Sequence, residues 1–203
     1  MAARTVAPTW KHGLQWYARL RRHHVAVWKF VEEYVVRNGV KRVIEVGGGA
    51  GHVASFLPYG SDYVNIEVNA EALRLQGLAH PGTRAVHGSF LDLDLRQFAG
   101  GHFDLLLTMS VLEHMAGYER FFEQADQIDA TRMLVTFFVK MGTDEHDRMC
   151  VRDGPEGLHY RNTYSRPKLE AFLRGRYPWF QFTEFGFDSV LEIQPAVRTP
   201  IGA

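Results

Sequence analysis

The chain has 203 residues, 46% hydrophobic and 23% charged, with 23 Lys plus Arg against 23 Asp plus Glu. That length holds one domain with a full core, and the charge balance excludes the basic field that draws proteins onto nucleic acid or anionic lipid. The single cysteine, Cys150, excludes an intrachain disulfide, no apolar run nears the ~20 residues of a membrane helix, and residues 1–10 lack a signal peptide's apolar core, so a cytoplasmic protein is expected.

Residues 1–10, with Pro8, read as a loose arm. From Lys11 to Asn38 apolar residues recur at helical spacing (Leu14, Tyr17, Leu20, Val27, Val31, then Tyr34 or Val35), with a bend or join at His23-His24 and a stop at Asn38-Gly39. Residues 1–39 are therefore expected to form an N-terminal helical arm or cap on a domain of residues 40–203. The basic run Arg19, Arg21, Arg22, His23, His24, Lys29 reads as a solvated helix face, the alternative being a patch for an anionic substrate.

A β-branched strand then ends at Glu45-Val46 and breaks into Gly47-Gly48-Gly49-Ala50-Gly51, followed by a short helix from His52 to Leu57 that Pro58 and Gly60 stop. Asp62–Val68 is a second strand, Ala70–Leu78 a helix and Thr83–His87 a third strand, followed by the loop Gly88-Ser89-Phe90-Leu91-Asp92. Phe103–Met109 is a continuous apolar strand, as in a parallel sheet covered on both faces. Gly117–Ile128 is an amphipathic helix and Met133–Val139 a buried strand. Residues 140–165 read as a long polar loop on the substrate side, Arg166–Arg174 as a helix with Pro167 in its first turn, and 179–185 with 189–193 as an antiparallel pair at a sheet edge. Alternating strands and helices predict an α/β doubly wound, Rossmann-like three-layer sandwich, with ligands beyond the carboxyl ends of the strands.

Four glycines in five positions suit a backbone that turns with φ > 0 and lies against something bulky. A carboxylate at the strand end, Glu45, repels phosphate and favours a cation or a hydroxyl donor, and the stretch lacks the Gly-Lys-Ser/Thr ending of a phosphate-binding loop. Glu45 could alternatively do no more than satisfy loop amides. Glu45-Val46-Gly47-Gly48-Gly49-Ala50-Gly51 resembles the E/D-x-G-x-G-x-G signature of class I S-adenosylmethionine-dependent methyltransferases, and the likeness runs from about Arg42 to Glu192. It implies a mostly parallel seven-stranded sheet with an antiparallel C-terminal hairpin, and S-adenosylmethionine as cofactor with S-adenosylhomocysteine as product. It places the cofactor on Glu45, Gly47, Gly49 and Gly51, on Glu67 as the acid bridging the ribose hydroxyls, and on the Ser110 loop. Where the family often has Gly-Asp this chain has Gly88-Ser89, so Ser89 and a stacking Phe90 are expected at the adenine, with Asp92 the other candidate.

Methyl transfer needs a base only when the nucleophile keeps its proton, as an alcohol does. The candidates are His114, His146 and His159, with Glu113 nearby; Tyr160, Asn162, Tyr164 and Trp16 are expected at the substrate. Two bland alternatives stand: His114 as a structural cap or core residue, and Trp10, Trp16 and Tyr17 as helix core instead of a roof over the cofactor. Asp144, Glu145, His146 and Asp147 read as a solvated turn, and no metal is expected. The expected reaction is methylation of an oxygen or nitrogen of a small molecule, by a monomer or homodimer without nucleic-acid or membrane partners. The alternatives are a protein or RNA methyltransferase and a catalytically silent cofactor-binding scaffold. A base-methylating enzyme is disfavoured because Thr108-Met109-Ser110-Val111 stands where such enzymes carry Asp/Asn-Pro-Pro-Tyr/Phe.

Overall fold

The computed structural model describes residues 23–98, 101–154 and 157–196, with only the backbone considered for 152–159. Seven strands form one sheet: β1 (Arg42–Val46), β2 (Asp62–Glu67), β3 (Arg84–His87), β4 (Phe103–Met109), β5 (Ala130–Phe137), β8 (Trp179–Phe185) and β9 (Asp188–Gln194), in the order β3-β2-β1-β4-β5-β9-β8. The pairs from β3 through β5 are parallel, whereas β9 runs antiparallel between β5 and β8. The chain winds outward from β1 to β3 and returns to β4 beside β1, so the order reverses between β1 and β4. Their carboxyl ends therefore open a crevice.

The continuous apolar strands are explained by the pleat, which sends successive side chains to opposite faces. Ile44, Val46, Val64, Ile66, Leu106, Met133 and Val135 feed one core, with Phe121 and Phe122 of α3 (Glu119–Ala125) and Leu169 and Leu173 of α4 (Arg166–Arg174). Val43, Tyr63, Leu105, Leu107 and Leu134 feed the other, against Val27, Val31, Tyr34 and Val35 of α1 (Val25–Arg37). These four α1 residues recur at helical spacing, and burying each large apolar side chain contributes about 1.5–3 kcal/mol. Helix α1 starts after a bend at His24, where the sequence places one. On the same face as Tyr63 stand Glu45, Asn65 and Glu67, and α2 (Ala70–Ala79) covers them with Gln76.

Two local expectations change. The segment after the glycines, His52–Phe56, is a single 3-10 stretch and not an α-helix. Within 140–165, β6 (Val151–Gly154) and β7 (Gly157–Tyr160) pair as an antiparallel hairpin. Their four-residue polar strands carry no period-2 apolar pattern for a sequence reading to find.

Candidate active site

The glycine loop lies at the mouth of the crevice. Gly47, Gly49 and Gly51 have φ of 72°, 56° and 75°, in the left-handed region open to glycine. Close approach adds a second reason: a Cβ on Gly47 would stand 2.4 Å from Val111 Cγ2, and one on Gly51 2.8 Å from Gln76 Cγ. The loop amides turn into the protein. Gly47 N donates to Ile66 O, Gly48 N to Asn65 Oδ1 at 3.0 Å, Gly49 N to Glu67 Oε2 at 2.9 Å and Gly51 N to Gly48 O. A phosphate cradle needs such amides free, so this loop is unsuited to one.

Two buried carboxylates stand behind it. Tyr63 donates its hydroxyl to Glu45 Oε2 at 2.5 Å. Burial pushes the Glu45 carboxyl up to about 8; the Tyr63 hydrogen bond opposes this rise and the nearby Glu67 charge adds to it. Glu67 ends β2, its Oε2 accepting from Gly49 N and its Oε1 from Asn69 N at 2.9 Å. Each oxygen keeps lone-pair capacity for a further donor. Glu45 thus does not satisfy loop amides; Asn65 and Glu67 do.

Across the crevice, Ser110 follows β4 with φ 56°, the one described non-glycine residue with positive φ. Its N–H donates to Thr136 O and its Oγ to Glu113 Oε1 at 3.1 Å. The same Oε1 accepts from Phe138 N at 2.9 Å, so Glu113 ties the ends of β4 and β5 together. Glu113 Oε2 is buried without a partner, and burial raises this carboxyl above the usual range. Strain at a rim residue held from two sides is what a functional loop tolerates.

Three residues expected at the ligands lie buried. Asn162 and Tyr164 have polar partners within the chain, Asn162 Nδ2 donating to Met115 O at 2.5 Å and Tyr164 Oη to Leu112 O at 2.8 Å. They fasten the turn that carries His114, adding side-chain donors to its Leu112 and Met115 carbonyls. Phe90 is buried in the core, its ring 5.4 Å from that of Phe121. Ser89 is half-buried and its carbonyl accepts from Asp92 N and Leu93 N; Asp92 is exposed and 3.6 Å from Arg120.

His114 is exposed, outside the core, and its Nδ1 stands 2.9 Å from Tyr160 O. A carbonyl only accepts, so Nδ1 carries a proton; among the described residues no hydrogen bond is made by Nε2, an acceptor in the neutral ring. Tyr160 is half-buried beside it. His146 is exposed on the 140–150 segment, where Asp144 pairs with Arg148 and Asp147 accepts from Ser165 N and Lys168 Nζ. The backbone of His159 pairs with Arg152 in the hairpin, and its side chain lies outside the described residues, as does Trp16 with Trp10 and Tyr17. Missed by the sequence reading were Asn65 and Gln76, both fully buried. Each had a signal: a polar residue in mid-strand, and one on a helix face where an apolar residue belongs.

Sheet order, crevice and glycine loop define a Rossmann-like methyltransferase fold. A sequence model described as a methyltransferase domain matches residues 17–173, and the chain belongs to that family. Among solved structures it resembles the N-terminal domain of EvdMO1 with S-adenosylhomocysteine bound (17% identity, 81% of this chain and 79% of that one, TM-score 0.67). It also resembles the DhpI–S-adenosylhomocysteine complex (15%, 93% of each chain, TM-score 0.67) and DesVI of Streptomyces venezuelae (14%, 91% of this chain and 97% of that one, TM-score 0.66). No curated protein gives a significant match.

Proposed function

We propose that the chain transfers a methyl group from S-adenosylmethionine to an oxygen or nitrogen nucleophile of a small molecule. The observation that carries this reading is the pairing of an inward-turned glycine loop with Glu67 at the adjoining strand end. Such a loop offers close backbone approach without a phosphate cradle, and a carboxylate with spare lone pairs suits a ribose diol. Glu67 would hold the ribose hydroxyls, the Gly47–Gly51 backbone the methionine portion, and the Gly88–Phe90 backbone the adenine edge. Bound there, the cofactor would supply a methyl group activated by a sulfonium. The chain's part is alignment and the exclusion of water, with a base needed only for an acceptor that keeps its proton until attack.

The small-molecule class is supported by the balanced charge. It is supported too by the kind of neighbour: EvdMO1's N-terminal domain was crystallised in the presence of S-adenosylhomocysteine and D-fucose. Calorimetry with S-adenosylmethionine and S-adenosylhomocysteine tests the cofactor. Micromolar binding that Glu67→Ala abolishes is expected, and no binding at millimolar cofactor would sink the reading. Labelled methyl transfer to a metabolite pool, compared with tRNA and protein extracts, tests the acceptor class.

A further inference from the structure

His24 and Asp188 are 164 residues apart and meet at the same rim of the sheet. His24 Nδ1 lies 2.8 Å from Asp188 Oδ2, and the two side chains are 16% and 9% exposed. Asp188 opens β9, next to Ser189, which pairs with Phe137 at the carboxyl end of β5. The next residue, Phe138, stacks on the imidazole with ring centroids 4.0 Å apart and planes 6° from parallel. Phe138 N in turn donates to Glu113 Oε1, which also holds Ser110 Oγ. Val111, following Ser110, packs against Gly47. An unbroken set of contacts thus links the imidazole to the glycine loop along the mouth of the crevice.

The ring is fixed by its edge and by its face. A carboxylate opposite Nδ1 only accepts, so Nδ1 carries a proton, and in the neutral ring Nε2 presents a lone pair. Among the described residues no group takes Nε2. A partly buried histidine oriented by an aspartate, with its far nitrogen open, is the arrangement that serves a general base: the carboxylate sets the tautomer and stabilises the imidazolium that forms. A clamp joining α1 to the β8–β9 hairpin would need the same Nδ1 contact, but would place no demand on Nε2.

We propose that the His24–Asp188 pair is the general base for a hydroxyl acceptor, His24 Nε2 taking the proton and Asp188 positioning the ring. The hydroxyl oxygen gives an electron pair to the methyl carbon as the carbon–sulfur pair returns to sulfur. The hydroxyl proton passes to Nε2 and leaves later to water. A neutral amine needs no such help before attack, so the pair marks the acceptor as an alcohol or phenol. The proposal rests on the methyltransferase reading above. Loss of S-adenosylhomocysteine binding in the unmodified chain would sink that reading, whereas the nitrogen spectra below test the pair by themselves.

The full chain is assayed with labelled S-adenosylmethionine and a panel of simple phenols, alcohols and primary amines. His24→Gln is expected to lower transfer to hydroxyl acceptors by about 100-fold or more, the usual share of a general base, while acceptor KM and S-adenosylhomocysteine affinity hold. Imidazole in the buffer should restore part of the rate to His24→Gly, a rescue that a clamp would not show. Asp188→Asn should lower kcat alone. Hydroxyl transfer by His24→Gln at the wild-type rate would overturn the proposal, as would equal losses of rate and cofactor affinity that imidazole does not repair. Nitrogen-15 spectra of the histidine rings decide independently of any acceptor. The neutral His24 ring is expected to carry its proton on Nδ1 with Nε2 free, and the opposite tautomer would overturn the assignment.

Discussion

Asn65 and Gln76 are joined by one buried hydrogen bond, 2.7 Å from Nδ2 to Oε1, and through it α2 is locked to the glycine loop. Asn65 also donates to Gly49 O at 2.9 Å and accepts from Gly48 N, so a single amide reads both sides of the loop backbone. Gln76 is held in register by Thr83, whose Oγ1 accepts from Gln76 Nε2 at 2.8 Å.

Replacing Asn65 by Leu strands Gly48 N, Gly49 O and Gln76 Oε1 in a dry site. Each unmet buried group costs about 1–3 kcal/mol, so a loss of at least about 2 kcal/mol is expected. Urea melts should record it, and calorimetry should show weaker S-adenosylhomocysteine binding. A variant as stable and as tightly binding as wild type would refute this role.

Gly47→Ala meets two penalties: a backbone at φ 72° and the Val111 methyl 2.4 Å from the new Cβ. Val111→Ala removes the second and leaves the first. The double variant should recover part of the loss yet stay about 1–2 kcal/mol below Val111→Ala alone, the strain of a left-handed alanine. Gly39, with φ 61° and nothing within 4 Å of a new Cβ, supplies the control in which only the backbone penalty acts.

Glu45 makes folding sensitive to pH. Its carboxyl is raised from 4.5 to about 8, chiefly by burial, so the folded chain keeps a proton that the unfolded chain has released. The folded state binds more protons, so stability falls as pH rises. The contribution is fully present below about pH 4.5 and is lost by about pH 8, at no more than about 1.4 kcal/mol per pH unit. Glu113, raised in the same direction by burial, adds to the slope. In Glu45→Gln, melts between pH 5 and 8 should show a shallower decline than wild type; an identical decline would mean that Glu45 does not hold the proton.

Tyr164 holds the 112–115 turn through its hydroxyl, which is pushed up to about 12, mainly by burial. Tyr164→Phe keeps the ring against Tyr118 and removes those bonds. A loss of about 1–2 kcal/mol is expected, with faster hydrogen exchange at Leu112–Met115 and little change in β1 or β2. Uniformly faster exchange would show a general loosening instead.

Local physics made much of the chain legible before folding. Glycines at 47, 49 and 51 announce a turn with positive φ because few other residues adopt one, and strand and helix periods depend only on neighbours in sequence. The carboxylate at Glu45 and its partner Glu67, one strand on, carried the ligand class. The tertiary structure decided which way side chains face and which distant residues meet. Phe90 and Tyr164 carry the same apolar and polar handles whether they line a pocket or fill a core, and only the packing of α3 and of the 112–115 turn settles that they are inside. Asn65 owes its place to a loop and a helix it does not adjoin, and His24 to a strand that forms 164 residues later. Periodicity is a short-range property of the chain; pairing across the sheet is not. The sequence by itself therefore determined the fold class, the glycine loop and its flanking acids, while the sheet order alone brought His24, Asp188, Phe138 and Glu113 to one rim.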